Sequence, residues 1–327
     1  MAKRKRDREK RSKSITRTMC DEAREYFSKY ENDVTRKTYN RCFSLFVKYC
    51  RQTHPDCKSN TEAVQYVQEY ADHLMRTGYT ASTIHTYIAA VCSFYNISLE
   101  NIKKPKRYTA DNLRGRSYND RFERNDNDLK NPKYSRLVEF QKVVGIRRSE
   151  LKRLRGGDIT IDEDNHLCVI VKRGKGGKYQ LQRILPQNEK FVKSYFEEKE
   201  ADEKIFSSDE MKNKLNLHSL RAECARNTYY YHLEKLEKEG DVYREKLKAE
   251  IIKRWNKYNI NPNTNKPKRF PRSEITGTYY LRGKNRAYAI KNNLPISYDK
   301  LATMYVSIFT LSHYRLDVTV DNYFLAF

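Results

Sequence analysis

Apolar residues recur along the first third of the chain at helical spacing. Tyr39, Cys42, Phe43, Phe46, Val47 and Cys50 fall on one stripe. Ile84, Tyr87, Ile88, Val91, Phe94 and Tyr95 form a second, with Ser82 placed to cap it. Three or four such helices fit between Ile15 and Ile102, so residues 16–105 are expected to form a small all-helical domain. The pattern then lapses. Lys103, Lys104, Lys106, Arg107, Arg114 and Arg116 and an Asn/Asp-rich stretch, 125–128, mark a linker placed at 106–130. Apolar spacing resumes at Tyr134, Leu137, Val138, Phe140, Val143 and Val144 and stops at Gly145. Strands are expected at 158–161, 166–172 and 179–185, the last two joined by the turn Arg173-Gly174-Lys175-Gly176-Gly177-Lys178. Helical sequence returns from His218, and nothing repeats internally. The expected fold class is mainly α with a small antiparallel β-sheet, an N-terminal helical domain preceding a second domain at 131–327.

Composition narrows the partner. The 327 residues include 66 Lys plus Arg against 42 Asp plus Glu, a formal charge of +24, which points to a polyanion bound through counterion release. Nucleic acid is the first choice and an anionic membrane surface the second. Residues 1–15 are dense in Lys and Arg and are expected to be a disordered arm, either a solubilising tail or a DNA contact. Basic residues of these helices such as Arg36, Lys37, Arg41 and Lys48 lie off the apolar stripe, where they meet either phosphates or solvent. No apolar run approaches the length of a membrane span and no signal core follows the basic start, so a cytoplasmic location is expected. Seven scattered Cys with no Cys-x-x-Cys pair suit reduced thiols. Cys50, His54 and Cys57 are the one group that invites a metal, but no second pair completes a tetrahedral set, and no metal site is expected.

Gly145-Ile146-Arg147-Arg148-Ser149-Glu150-Leu151, His218-Ser219-Leu220-Arg221 and Leu311-Ser312-His313, with Tyr323 ten residues further on, occur in that order. Together they resemble the signatures of the tyrosine recombinases, the family of lambda integrase, Cre and the Xer proteins. Lys175 lies in a turn between the first two boxes, where the family places its lysine. The resemblance covers the chain from about Asn131 onward and, more loosely, the helical domain, which looks like the family's core-binding domain. The segment around Phe309 and Tyr314 to Thr319 is similar to integrases of mobile elements.

What the resemblance implies is chemically coherent. Phenolate attack on a phosphodiester builds charge on the non-bridging oxygens, and the planar forks of Arg147 and Arg221 suit that charge. The departing 5′ oxygen needs a proton, which Lys175 would supply, with Lys178 and Lys172 as alternatives. His218 and His313 would bond the phosphate or help deprotonate Tyr323, the nucleophile, and Glu150 would orient an arginine or His. DNA contacts are further expected from Lys104, Arg107, Arg148 and Lys178. The bond energy is conserved in a phosphotyrosine, so no cofactor is expected. The partners implied are double-stranded DNA recombination sites, a homotetramer on DNA and an accessory bending or directionality factor, in a bacterial, nucleoid-associated setting.

The sequence also departs from the family. Arg221 and His313 are 313 − 221 = 92 residues apart. An insertion at about 233–295 is therefore expected, containing a charged helix from Leu233 to Tyr258 and a basic loop, 266–272. It is expected to meet DNA or a neighbouring protomer, or to face solvent. Only Phe324 to Phe327 follow Tyr323, and Ser312 stands where glycine is usual. A type IB topoisomerase or resolvase shares the chemistry, whereas a non-catalytic DNA-binding protein would not need Tyr323.

Overall fold

Three helices of the N-terminal portion begin where a polar side chain satisfies backbone N–H groups that the helix itself leaves bare. Ser14 caps α1 (Ile15–Phe27), Asn32 caps α2 (Asp33–Thr53), and Thr80 caps α4 (Ala81–Tyr95). Helix α3 (Val67–Arg76) lies between α2 and α4. Thr80, not Ser82, is thus the cap of α4; Ser82 sits inside its first turn. The computed structural model describes residues 14–108, 129–174, 177, 179–261 and 263–325. It divides the chain into two units, Met1–Arg107 and Tyr108–Phe327.

In the first unit Phe27, Phe43, Phe46, Ile88 and Val91 are fully buried, and Phe27 meets Phe43 edge-on at 6.1 Å. The expected basic arm lies outside the described residues as far as Lys13, and α1 has already begun at Ile15. Most of the expected linker, 109–128, lies outside them too. His54 stacks on Tyr66 at 3.7 Å and bonds Glu69 at 3.1 Å, while Cys50 and Cys57 are buried. Burial pushes the Cys50 thiol up to about 12. Among the described residues no helix is long and apolar enough to cross a membrane.

The second unit opens with α5 (Pro132–Val144), ended by Gly145 at φ +63. A short helix, α6 (Arg148–Leu151), precedes an antiparallel sheet of β1 (Ile159–Ile161), β2 (Leu167–Val171) and β3 (Gln180–Arg183), in which Ile159 pairs with Val169 and Cys168 with Arg183. Helix α7 (Glu189–Glu197) follows.

The expected insertion differs from its sequence reading in two ways. Its helix does not start at Leu233: α8 runs from Leu217 to Tyr258 and breaks at Gly240, whose φ of 62 and ψ of −138 suit only glycine. His232 Nδ1 and Tyr243 Oη are 2.7 Å apart, whereas eleven residues of straight helix span about 16 Å, so the two arms bend toward each other. A second sheet also appears, β4 (Thr278–Tyr280) with β5 (Ser297–Asp299), joined through α9 (Gly283–Lys291).

After β5 come α10 (Lys300–Tyr305), which runs into a π-helical turn at Val306–Thr310, and α11 (Leu316–Thr319), which runs into another at Val320–Phe324.

Two hydrophobic cores meet along α8. Leu217 and Leu220 join the core of α5, the first sheet and α7, while Ala222, Ala225 and Tyr229 join the core of the insertion and the C-terminal turns. A buried ionic cluster ties them further. Arg183, 2% exposed at its side chain, reaches Asp162 at 2.6 Å, Asp164 at 2.5 Å and also Glu250, and Arg254 reaches Asp162 at 2.7 Å. Phe309 lies beneath both guanidiniums, at 3.9 and 4.9 Å. Burial alone would raise these carboxyls, yet their cationic partners outweigh it and hold Asp162, Asp164 and Glu250 below the ordinary carboxylate range.

A depressed carboxyl stabilises the folded state above its unfolded pKa, and that contribution disappears as pH falls through the folded value. The unit's unfolding midpoint in urea is therefore expected to drop below about pH 4. Arg183→Met is expected to cost about 3–5 kcal/mol at neutral pH by leaving buried carboxylates uncompensated. That deficit should narrow on acidification; a deficit independent of pH would contradict the assignment.

Candidate active site

Gly145 fixes the geometry from which the site is built. Its positive φ is a conformation L side chains avoid, and an added Cβ would lie 2.9 Å from Cys224 on α8. The turn after it is pinned by buried amides: Gln141 donates to the carbonyls of Ile146 at 2.6 Å and Leu217 at 3.0 Å, and Gln182 donates to that of Val144. The start of α6 is thereby held against the start of α8. Glu150, buried, accepts from the Arg147 backbone N–H and from its guanidinium, both at 2.7 Å. The backbone contact closes the first turn as a capping carboxylate does.

Arg221, 1% exposed, projects from α8 where its two cores meet. It donates to the carbonyl of Gly145 and, at 2.9 Å, to that of Leu311. Its Nε has no hydrogen-bond partner among the described residues. The guanidinium carbon lies 5.7 Å from the centre of the Tyr323 ring.

Tyr323 sits in the π-helical turn, 4% exposed, and its hydroxyl shares a 2.8 Å hydrogen bond with Nε2 of His313. The rings of His218 and His313 approach the Tyr323 ring at 5.1 and 5.2 Å. His218 is the second residue of α8, whose first turn is capped by Asn216. The loop bearing His313 is clasped by buried Ser307: its carbonyl accepts from the His313 N–H at 2.8 Å and its hydroxyl from the Arg315 N–H at 2.8 Å. Ser312 and Tyr314, on either side of His313, both take left-handed backbone conformations, at φ 53 and 57. A side chain at 312 therefore occupies a conformation that glycine would adopt more easily.

Of the residues singled out in the sequence, Arg221, His218, His313 and Tyr323 come together in one cluster. Arg147 joins through the backbone, two residues beyond the carbonyl that Arg221 holds, with its side chain engaged by Glu150. Lys175 and Lys178 lie outside the described residues. Lys172 pairs with Asp158 at 2.7 Å, which raises its pKa. Arg148 turns into the protein, donating to Asn213 at 2.9 Å and to the Leu215 carbonyl at 2.6 Å. In the first unit, Arg36 and Lys37 pair with Asp33 at 2.7 and 2.6 Å, and Lys104 donates to the Ile102 carbonyl at 3.1 Å. Arg41, Lys48 and Arg107 are exposed.

Four supporting residues carry no signature in the sequence: Gln141, Gln182, Ser307 and Arg226. The last, its guanidinium lowered by burial, donates to the Tyr323 carbonyl at 3.0 Å from the helix that bears Arg221. One arginine among many on a basic chain draws no notice. A cavity of about 540 Å³ lies beside Glu150, between Lys152, Arg155, Lys172 and Lys204. It includes neither histidine nor Tyr323.

Among solved structures, the crystal structure of XerA recombinase is similar to this chain, with a TM-score of 0.23 and 18% identity over 65% of this chain and 84% of that one. No protein-family model matches the sequence, and neither does any curated protein. A likeness at that score carries no argument, so the functional reading rests on the residues.

Arg221→Lys retains the charge and loses the planar fork. It is expected to leave at least one of the two buried carbonyls unmatched, at about 1–3 kcal/mol, read as a lower urea midpoint. An unchanged midpoint would show that the guanidinium does not join the two cores.

Proposed function

We propose that the chain is a site-specific tyrosine recombinase that cleaves and rejoins DNA strands through a 3′-phosphotyrosine at Tyr323. The observation that carries the reading is the Tyr323 hydroxyl bonded to His313 at 2.8 Å, with the Arg221 guanidinium 5.7 Å from the same ring. A phenol needs a base and a cationic surrounding to become a nucleophile near neutral pH, and this arrangement supplies both.

In the proposed step the phosphate enters beside Tyr323, and the Tyr323 proton passes to His313 along their hydrogen bond. The tyrosine oxygen bonds to phosphorus, and the bond to the deoxyribose 5′ oxygen breaks. That oxygen takes its proton from a lysine of the β2–β3 turn, Lys175 in the first instance, with Lys172 and Lys178 as alternatives. The Arg221 fork, together with Arg147 oriented by Glu150, balances the charge that grows on the non-bridging oxygens, and His218 bonds the same group. Attack of a second strand's 5′ hydroxyl reverses the step and releases Tyr323. Energy is conserved in the phosphotyrosine, so the reaction calls for no cofactor.

The biological reading follows the sequence resemblance: integration and excision of a mobile element by strand exchange, in a homotetramer assembled on duplex DNA, with an accessory factor that sets direction. Arg36, Lys37, Arg41, Lys48, Lys104, Arg107, Arg148 and Lys178 are the proposed contacts with that DNA. The setting is the cytoplasm of a bacterial cell.

Nicked suicide duplexes carrying the ends of the encoding element test this directly. The wild type is expected to form a covalent adduct mapping to Tyr323, Tyr323→Phe to form none, and His313→Ala to react about 10² to 10⁴ times more slowly. Supercoil relaxation without exchange between two marked sites would assign topoisomerase-type chemistry instead. A Tyr323→Phe protein with full biological activity would leave only a DNA-binding role.

A further inference from the structure

The insertion carries an excess of positive charge that the rest of its own fold does not neutralise. On the second arm of α8 five of the six cations, all but Lys246, are matched: Arg244 with Asp299, Lys248 with Glu245, Lys253 with Asp164, Arg254 with Asp162 and Lys257 with Glu163. Beyond Tyr258 the pattern changes. Residues 259–298 contain eight Lys or Arg and a single carboxylate, Glu274, which partial burial pushes toward its neutral form.

Four of these cations, Lys266, Lys268, Arg269 and Arg272, are exposed on the loop 266–272. The loop is anchored by Trp255, which donates to the Lys268 carbonyl at 2.7 Å and meets Phe270 edge-on. The same indole packs on Tyr314, the residue after His313. The other four belong to the β4–α9 connection and to α9. That helix turns Asn285, Tyr288 and Ala289 inward, and Asn285 donates to Asp321 at 2.9 Å, two residues before Tyr323. Arg282, Lys284, Arg286 and Lys291 are exposed, and large apolar side chains lie exposed among them: Tyr280, Ile290 and Ile296. Among the described residues no ion pair reaches Lys266, Lys268, Arg269, Arg272, Arg282, Arg286 or Lys291.

Like charges gathered without counterions repel one another, and a polyanion relieves that repulsion by exchanging condensed counterions for fixed cations. A surface of exposed Lys and Arg interleaved with Tyr and Ile suits a sugar–phosphate backbone, whose charges are closely spaced and whose sugars offer apolar edges. We propose that residues 266–291 form a duplex-DNA docking surface, fastened to the two segments that carry His313 and Tyr323 and gripping the backbone beside the cleaved phosphate. This rests on the reading of the chain as a DNA strand-transferase and adds to it a backbone contact outside the shared motifs.

The test uses the full chain and a long duplex of arbitrary sequence, with affinity measured by fluorescence anisotropy across a salt series. Two triple variants, Arg282→Gln with Arg286→Gln and Lys291→Gln, and Lys266→Gln with Lys268→Gln and Arg269→Gln, are compared with a control of equal charge loss on α8. The control is Lys235→Gln with Lys238→Gln and Lys248→Gln, whose cations are already paired. The slope of log affinity against log salt is expected to fall by about 0.9 for each lost phosphate contact, so by roughly two to three in each insertion variant, and to stay unchanged in the control. Thermal unfolding followed by circular dichroism checks that all three fold.

Equal slopes in insertion variants and wild type would overturn the proposal. So would equal losses in the control, which would make net charge the cause. Weakened binding to phosphatidylserine vesicles with duplex binding intact would assign a membrane instead and overturn it as well. The adduct assay separates this proposal from the one it rests on. Insertion variants that keep the Tyr323 adduct but bind with a lowered salt slope support the surface, whereas the lowered slope in those variants beside a wild type that forms no adduct removes the recombinase reading alone.

Discussion

The second unit is organised around one buried guanidinium. Arg221 stands on α8 where the helix passes from one hydrophobic core to the other, and it spans the seam by donating to Gly145 on one side and Leu311 on the other. An arginine with 1% exposure is tolerable only when hydrogen bonds replace its lost water, and two main-chain carbonyls meet part of that need. Those carbonyls end the segments that lead to Arg147 and His313. The interaction that joins the cores is thus also the one that sets the spacing of the candidate site.

Around that seam the site is held mostly by main-chain contacts. Gln141 and Ser307 fix the turns that present Arg147 and His313, and Arg226 holds the carbonyl of Tyr323. The histidine loop alone contains two side chains in left-handed conformations, a cost of roughly 1–2 kcal/mol each that neighbouring contacts must offset. Strain of this kind collects where a side chain must point in a direction that an ordinary turn does not offer.

Much of this was legible in the sequence because it rests on local rules. The apolar spacing of α2, α4 and α5 gave the helices, and the glycine after Val144 marked a helix end that the positive φ explains. The motif order placed Arg221, His218, His313 and Tyr323, which the fold gathers. What escaped depends on contacts between distant residues. Gln141 and Ser307 are ordinary polar residues until the chain returns to them, and the cap of α4 lies two residues earlier than expected because Thr80 and Ser82 are equally good candidates by type. The bend at Gly240 was missed for a related reason: charged residues continue on both sides of it, so the pattern resembles one uninterrupted helix. The short strands β4 and β5 pair across sixteen intervening residues and have only three residues each in which to show alternation.

The bend at Gly240 and the Arg221 contact with Leu311 together turn the long stretch between them into a closed excursion. It departs just after the guanidinium and is back within 2.9 Å of it. The entropy cost of closing such a loop grows only logarithmically with its length, by about 0.6 kcal/mol for each doubling. The chain therefore has latitude in this one place: residues gained or lost at the excursion's outer turns alter its reach while the distance between its two feet stays fixed.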